Sequence, residues 1–317
     1  MIISKSKRSS SVRISPSKKL TGSRPALRIE WICKAWPLIP ATLYLLGFLI
    51  IVIIYLAGLS LSDPEAGLKF PSFQPFISVL SEKDFQSALV NTILFTLIGT
   101  PLELLAGLAL AVMIYRSFFM RGIIRSLFLI PLAIPALVTA MLLFILFDYP
   151  GGHINQLLLG NYPVFPAVIS EPVNWRGSGY VSIGLSILGK IWRDMPISML
   201  IILAGLNNID PELFEAARTM GANLRQRLLH VALPLIIPSI STVLLLRSVE
   251  MWKEFIFPYV LAGRNRLLGT LIDFYYNDLG NSHKASVTAL VMVLCIVVTT
   301  LIIMKSMDLF RKALIRR

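Results

Sequence analysis

From Ala35 to Ser62 the chain carries no charged residue, and from Ala285 to Met304 it again carries none. A helix needs about 20 apolar residues to cross the hydrocarbon core of a bilayer, so each of these runs is long enough to span it. Four further stretches fit the same role. Phe85–Tyr115 is interrupted only by Glu103, Ser126–Phe147 contains Pro131 and Pro135, and the other two lie within Gly177–Ile209 and Val231–Gly263. Prolines without an N–H should bend the third span. With 56% hydrophobic and 15% charged residues, the chain is far from the soluble average of about 25% charged. The expectation is an all-α integral membrane protein of six transmembrane helices. The span domain covers 35–309, between basic tails at 1–34 and 310–317.

A formal net charge of +13 could point to nucleic acid, but its distribution points elsewhere. Nine Lys and Arg precede Ala35 against the single acid Glu30, a serine-rich segment that cannot bury a core. That segment lacks the short apolar stretch and cleavage site of a removable signal, so the first span should also serve as the targeting signal. Allocated over six spans, 20 Lys and Arg fall on the side of the termini and only 6 on the other. Cytoplasmic loops carry such an excess. Both termini are therefore expected in the cytoplasm and the loops 63–84, 148–179 and 264–284 outside. The basic N-terminus reads as a solvated cytoplasmic tail rather than a lipid-binding or nucleic-acid arm, and the chain is surrounded by membrane lipid, with no nucleic acid. Cys33 and Cys295 have no spacing that suggests a disulfide or a metal site.

The most informative charged island is Pro211–Pro234, PELFEAARTMGANLRQRLLHVALP. Asp210 suits a helix N-cap, Pro211 the first helical position, and Glu212 the positive first turn. Gly221 can take the left-handed conformation that ends the helix near Met220, and Asn223 can cap a second, basic helix. The spacing predicts a helix–turn–helix between spans four and five.

This stretch resembles the signature loop of the membrane-spanning permease subunits of bacterial ABC importers. The family pattern is Glu-Ala-Ala, three residues, Gly, nine residues, then Ile-x-Leu-Pro. Here it reads Glu215, Ala216, Ala217, then Gly221, then Val231, Leu233 and Pro234. The resemblance implies that the loop 210–234, with Glu215, Ala216, Ala217, Arg218 and Gly221, is a cytoplasmic coupling helix that docks on an ATPase. It implies as partners two ATP-binding subunits, an external solute-binding protein and a second homologous permease, forming a heterodimer. ATP and magnesium would be bound by the partner ATPase, with no cofactor in this chain. It leans to the carbohydrate (maltose-type) class, whose members share Asn-Thr at the start of span two, as Asn91 and Thr92, and Gly-x-x-Asn after span three, as Gly152 and Asn155. One departure is marked: many such permeases have Gly-Gly-Pro after span five, where this chain has LAGRNRLLGT, Leu261 to Thr270.

GLSILGK, Gly184 to Lys190, fits a phosphate-binding glycine pattern, but Ile191 follows instead of Ser or Thr and the string sits in a span. No nucleophile and base suggest an enzyme. The intramembrane charges demand an explanation, because each costs roughly 2.5–3.5 kcal/mol near the bilayer centre. Lys190 and Asp194 are spaced to pair in span four, beside Trp192 and Arg193. In span five, Arg247, Glu250 and Glu254 share one stripe if each residue turns ~100°, with Lys253 beside them. They either neutralise one another and fix packing, or line a hydrated solute path on which Trp192, Trp252 and Tyr259 stack sugar rings. The expected function is a non-catalytic permease for a sugar or oligosaccharide. The alternatives are an ion-coupled secondary transporter, or an ABC permease for another polar solute such as a glycerol-phosphate or an anionic saccharide.

Overall fold

The computed structural model describes residues 36–62, 70–115, 119–163, 165–177 and 179–315. The basic tail 1–34, with Cys33, lies outside them, as do Arg116, residues 63–69 of the 63–84 linker and the last two residues of the C-terminal tail. All regular structure among the described residues is helical.

The chain divides into two units, Met1–Ile54 and Tyr55–Arg317. In the first, a 3₁₀ turn at Trp36–Leu38 leads into α1 (Ile39–Ser60), whose last six residues belong to the second unit and whose mostly exposed Leu, Ile and Phe side chains suit a lipid surround. In the second, α2 (Gln74–Ser81) precedes α3 (Lys83–Tyr115), a 33-residue helix. Then follow α4 (Arg121–Ala133), α5 (Ala136–Leu146) and α6 (His153–Leu158). Next come α7 (Gly179–Asn207), α8 (Pro211–Thr219) and α9 (Leu224–Leu235). The chain ends through α10 (Ile237–Trp252), α11 (Ile256–Leu261), α12 (Leu268–Asp273) and α13 (Ser282–Ile315).

By length and composition α1, α3 and α13 are apolar enough to cross a membrane, and the count reaches five if α4/α5 and α9/α10 each form one bent span. At 29 residues α7 is long enough to cross as well, roughly 43 Å at 1.5 Å per residue. Its charges at Lys190, Arg193 and Asp194 keep it out of the apolar set. The expected bend of span three is a break: α4 and α5 meet at 90°. Pro131 and Pro135 deprive consecutive turns of an N–H, and the residue before Pro135 is forced into extended backbone, as Ile134 shows with ψ 132°. A second bend, of 67°, separates α9 from α10 at Ile236, with Pro234 and Pro238 on either side. Residues Arg227–Ala232 of α9 are wound as a π-helix just before Pro234.

The most extensive helix packing in the second unit is α3 against α7. A Cβ at Gly107 would stand 2.6 Å from the Ser198 Cβ and 3.0 Å from the Met199 backbone nitrogen, so the contact exists because Gly107 has no side chain. Gly107→Leu is expected to push α3 off α7 and lower the thermal midpoint of the detergent-purified protein, by an overpacking cost of about 1–3 kcal/mol. An unchanged midpoint would show that the seam is not closely packed.

The region beyond span five is more structured than a loop over 264–284. The chain turns at Gly263, forms α12, continues as a π-helix at Phe274–Asp278 and enters α13. Thr92 Oγ1 accepts from Leu268 N at 2.8 Å and Asn91 Nδ2 donates to Arg266 O at 3.1 Å, which accounts physically for the Asn-Thr pair near the start of α3. At the junction of α2 and α3, Glu82 accepts from Tyr275 Oη at 2.5 Å and pairs with Lys284. Burial pushes the Glu82 carboxyl up, but the Lys284 and Tyr275 hydrogen bonds and the Lys284 charge outweigh it and hold it below its usual value.

The 148–177 segment is folded around Asn155, which is fully buried. Its Oδ1 accepts from Val173 N and Trp175 Nε1, and its Nδ2 donates to Asp148 O and Val173 O. Gly152 is required beside it, since a Cβ there would lie 2.5 Å from Asp148 N.

Candidate translocation and coupling sites

On α7, Lys190, Asp194 and Ser198 repeat every four residues and so form one stripe. That stripe interrupts the core, between Ile183 and Ile187 at one end and Met199, Ile202 and Leu203 at the other. Lys190 Nζ lies 2.5 Å from Asp194 Oδ2 and 2.8 Å from Glu254 Oε2. Arg193 Nη1 reaches Asp194 Oδ1 at 2.5 Å, and its Nε donates to Ile134 O at 3.4 Å. Arg193 thus serves a carbonyl released by the α4/α5 break. From α10, Arg247 Nη1 lies 2.8 Å from Glu250 Oε2, 3.3 Å from Glu103 Oε1 and 4.0 Å from Asp194 Oδ2. Ser198 Oγ donates to Glu103 Oε1 at 3.0 Å. Seven charged side chains from α3, α7, α10 and the α10–α11 junction therefore form one connected network.

The expected pairing of Lys190 with Asp194 is present, and so is that of Arg247 with Glu250. The continuous stripe through Glu254 is not, because α10 stops at Trp252 and Lys253–Phe255 are not helical. Pro258 is the signal for this: it has no N–H to offer Glu254 O, and Gly269 lets α12 approach that carbonyl, its Cβ position being 2.9 Å away. Glu254 Oε1 instead accepts from Phe257 N at 3.3 Å, at the start of α11. Glu103, central to the network, stands out in the sequence only as the one charge interrupting Phe85–Tyr115.

Burial divides the candidates. Lys190, Asp194, Glu254 and Arg247 are buried, Arg247 at 1% exposure, with Glu103 at 0%. Glu250 and Arg193 are partly exposed, and Lys253, Trp192 (42%) and Tyr259 (60%) are exposed. Tyr259 is stacked on Phe255, ring centroids 5.0 Å apart. Trp252 departs from the stacking expectation. It turns toward α13, is 5% exposed, and donates from Nε1 to Thr299 Oγ1 at 3.1 Å. On a helix of 3.6 residues per turn its position is about 140° from Arg247, which places it on the opposite packing face. The glycine pattern Gly184–Lys190 is helical throughout, and Lys190 is engaged by two carboxylates.

The Pro211–Pro234 stretch forms as its local signals dictate. Asp210 Oδ1 accepts from Glu212 N at 3.0 Å, and α8 runs Pro211–Thr219. Gly221, at φ +82°, donates to Arg218 O, and Ala222 N to Ala217 O, both at 3.0 Å, the paired bonds of a Schellman stop. Asn223 and Gln226 then exchange a reciprocal capping box. Phe214 packs on Tyr115 at the end of α3, with centroids 5.9 Å apart. This fixes the inner face of α8, while Glu215, Ala216, Arg218 and Gly221 are exposed and Ala217 is partly exposed.

A broken-span bundle with an exposed capped helix between two spans is the architecture of an ABC transporter permease, and the comparisons agree. Residues 103–317 match the family described as "Binding-protein-dependent transport system inner membrane component", and the chain belongs to it. It is 31% identical to a probable ABC transporter permease of Sinorhizobium fredii over 86% of this chain and 89% of the relative. It is 29% identical to the trehalose/maltose transport system permease MalF of Thermococcus litoralis over 71% of this chain and 76% of that one. Its fold matches a bacterial alginate ABC transporter solved in complex with an alginate pentasaccharide-bound periplasmic protein, with TM-score 0.72, 20% identity, and coverage of 86% and 94% of the two chains. This is an inner-membrane transport permease.

Proposed function

We propose that the chain is one permease subunit of an ATP-driven importer of a sugar or oligosaccharide. The observation that carries this reading is α8: a capped helix between two spans, anchored by Phe214, with Glu215, Ala216 and Arg218 presented outward. In this reading the six spans are α1, α3, α4/α5, α7, α9–α11 and α13, with both termini and α8 in the cytoplasm. A small, flat Ala216–Ala217 surface suits close approach of an ATP-binding subunit, and Glu215 supplies the charge that finds a cationic or N–H partner there. ATP-driven closure of two such subunits moves the coupling helices of this chain and a second permease together and turns the cavity outward. An external solute-binding protein delivers the solute. The trehalose/maltose relative motivates the sugar class.

In the site, the buried members Glu103, Lys190, Asp194, Arg247 and Glu254 hold the broken halves in register, while Trp192, Arg193, Glu250, Lys253 and Tyr259 face the path. Broken helices at membrane depth are tolerated where they are buried in protein or line a wet cavity. Reconstituted in proteoliposomes with its second permease and ATPase, the complex is expected to hydrolyse ATP several-fold faster when a maltose- or trehalose-loaded binding protein is added. Glu250→Gln should reduce that stimulation without reducing assembly. Uptake driven by an ion gradient with no ATP present would overturn the reading.

A further inference from the structure

The segment that departs from the family pattern, LAGRNRLLGT, forms a rigid polar cavity between the start of α3 and the α11–α12 connection. Asp84, Ser87 and Asn91 line one side, and Arg264, Asn265 and Arg266 the other, around a volume of about 170 Å³. Its backbone is held in place. Besides the Asn91 and Thr92 bonds, Asn265 Nδ2 donates to Ser182 Oγ at 2.9 Å and to Ala262 O at 3.2 Å. Leu267 N donates to Thr270 Oγ1 at 2.9 Å, and Leu267 and Leu268 are wholly buried beneath. The arginine side chains are left to the surface: Arg264 is exposed, and the Arg266 guanidinium lies 3.7 Å over the Phe274 ring, which fixes its plane and leaves its edges open.

Among the described residues of this face Arg176 has Asp148 at 3.8 Å and Lys284 has Glu82, whereas Arg264, Arg266 and Lys83 have no carboxylate within 4.0 Å; of these three only the two arginines line the cavity, which Asp84 shares. The Arg266 guanidinium, held flat on Phe274, and the exposed Arg264 guanidinium beside it present the planar fork that carboxylates accept in pairs of hydrogen bonds. The cavity is well below the ~300–1,000 Å³ of small-molecule sites, so it suits one side-chain carboxylate on a larger partner better than a saccharide. Because the loop lies on the face opposite α8, that partner is the macromolecule expected outside.

We propose that Arg264 and Arg266 form a docking site for an Asp or Glu side chain of the external solute-binding protein, an inference that rests on the importer reading above. The test uses the reconstituted complex and the loaded binding protein that stimulates its ATP hydrolysis, titrated at several salt concentrations. Arg264→Glu, at an exposed position, and the double variant Arg264→Glu/Arg266→Glu are expected to raise the half-stimulating concentration of binding protein about tenfold with the maximal rate retained, and to flatten its salt dependence. Asp84→Asn should lower that concentration, an opposite sign that a general loss of stability cannot produce. An unchanged half-stimulating concentration in both arginine variants overturns the proposal. So does a shift confined to the solute requirement at saturating binding protein, which would mark the cavity as a solute site. If no binding protein stimulates the wild-type complex, the importer reading itself fails, and that outcome is distinct from the other two.

Discussion

Arg247→Ala is expected to leave little folded protein. The guanidinium is buried and lies between Glu103, Glu250 and Asp194, so its removal strands carboxylates where water cannot solvate them. Glu103 would keep only the Ser198 hydroxyl on Oε1, and its Oε2 already has no hydrogen-bond partner among the described residues. Breaking one side of a buried pair costs about 3–5 kcal/mol, a large share of a typical total stability of about 5–15 kcal/mol. Removing both partners is much cheaper, so Arg247→Met combined with Glu103→Gln should recover most of the yield and thermal midpoint. Glu250→Gln should cost less than Arg247→Ala, because Glu250 is partly exposed. Membrane-fraction yield and thermal unfolding in mild detergent measure all three. A wild-type midpoint in Arg247→Ala would mean that the network is hydrated and does not hold α3, α7 and α10 together.

Gly221→Val and Glu215→Lys are expected to abolish solute uptake while the protein still reaches the membrane. The two act by different routes. At φ +82° a β-branched residue meets a left-handed backbone penalty of about 1–2 kcal/mol, which opposes the stop that sets the angle between α8 and α9. No atom lies within 4 Å of a Cβ built at Gly221, so the effect is backbone strain and not a clash. The Glu215 side chain is exposed and makes no ion pair among the described residues, so Glu215→Lys should leave the stability of this subunit nearly unchanged. Lost uptake would then report a missing contact with another subunit. Proteoliposome uptake, with co-purification of the ATPase as a second readout, checks both variants. Wild-type uptake in both would remove the coupling role proposed for α8.

The family was readable because its signature is local. Whether Asp210 caps a helix, Gly221 stops it and Asn223 starts the next depends on side chains within a few residues of the backbone they bond. Those three expectations match the structure atom by atom. The apolar runs are local in the same sense, since lipid asks only that a sufficient length of chain be uncharged. The prolines of span three announced a distortion, and only its size, 90°, needed the fold.

Side-chain partners across helices were decided by tertiary structure. Helical periodicity put Arg247 and Glu250 on one face, but whether that face met solvent or Glu103 depended on how closely α3 approaches α7, and hence on Gly107 opposite Ser198. The stripe failed at Glu254 because Pro258 and Gly269, from segments before and after a turn, together end α10 at Trp252. Trp252 was turned inward for the same kind of reason: its indole found Thr299, 47 residues on. The sequence by itself determined that this chain lies in a membrane, where its exposed capped helix falls, and which family it resembles, because hydrophobic length and helix capping act over a few turns of chain. Only the tertiary structure decided which intramembrane charges are buried and which reach the surface, because a charge in a bilayer is stabilised by whatever group lies within about 4 Å, and that group is set by long-range packing.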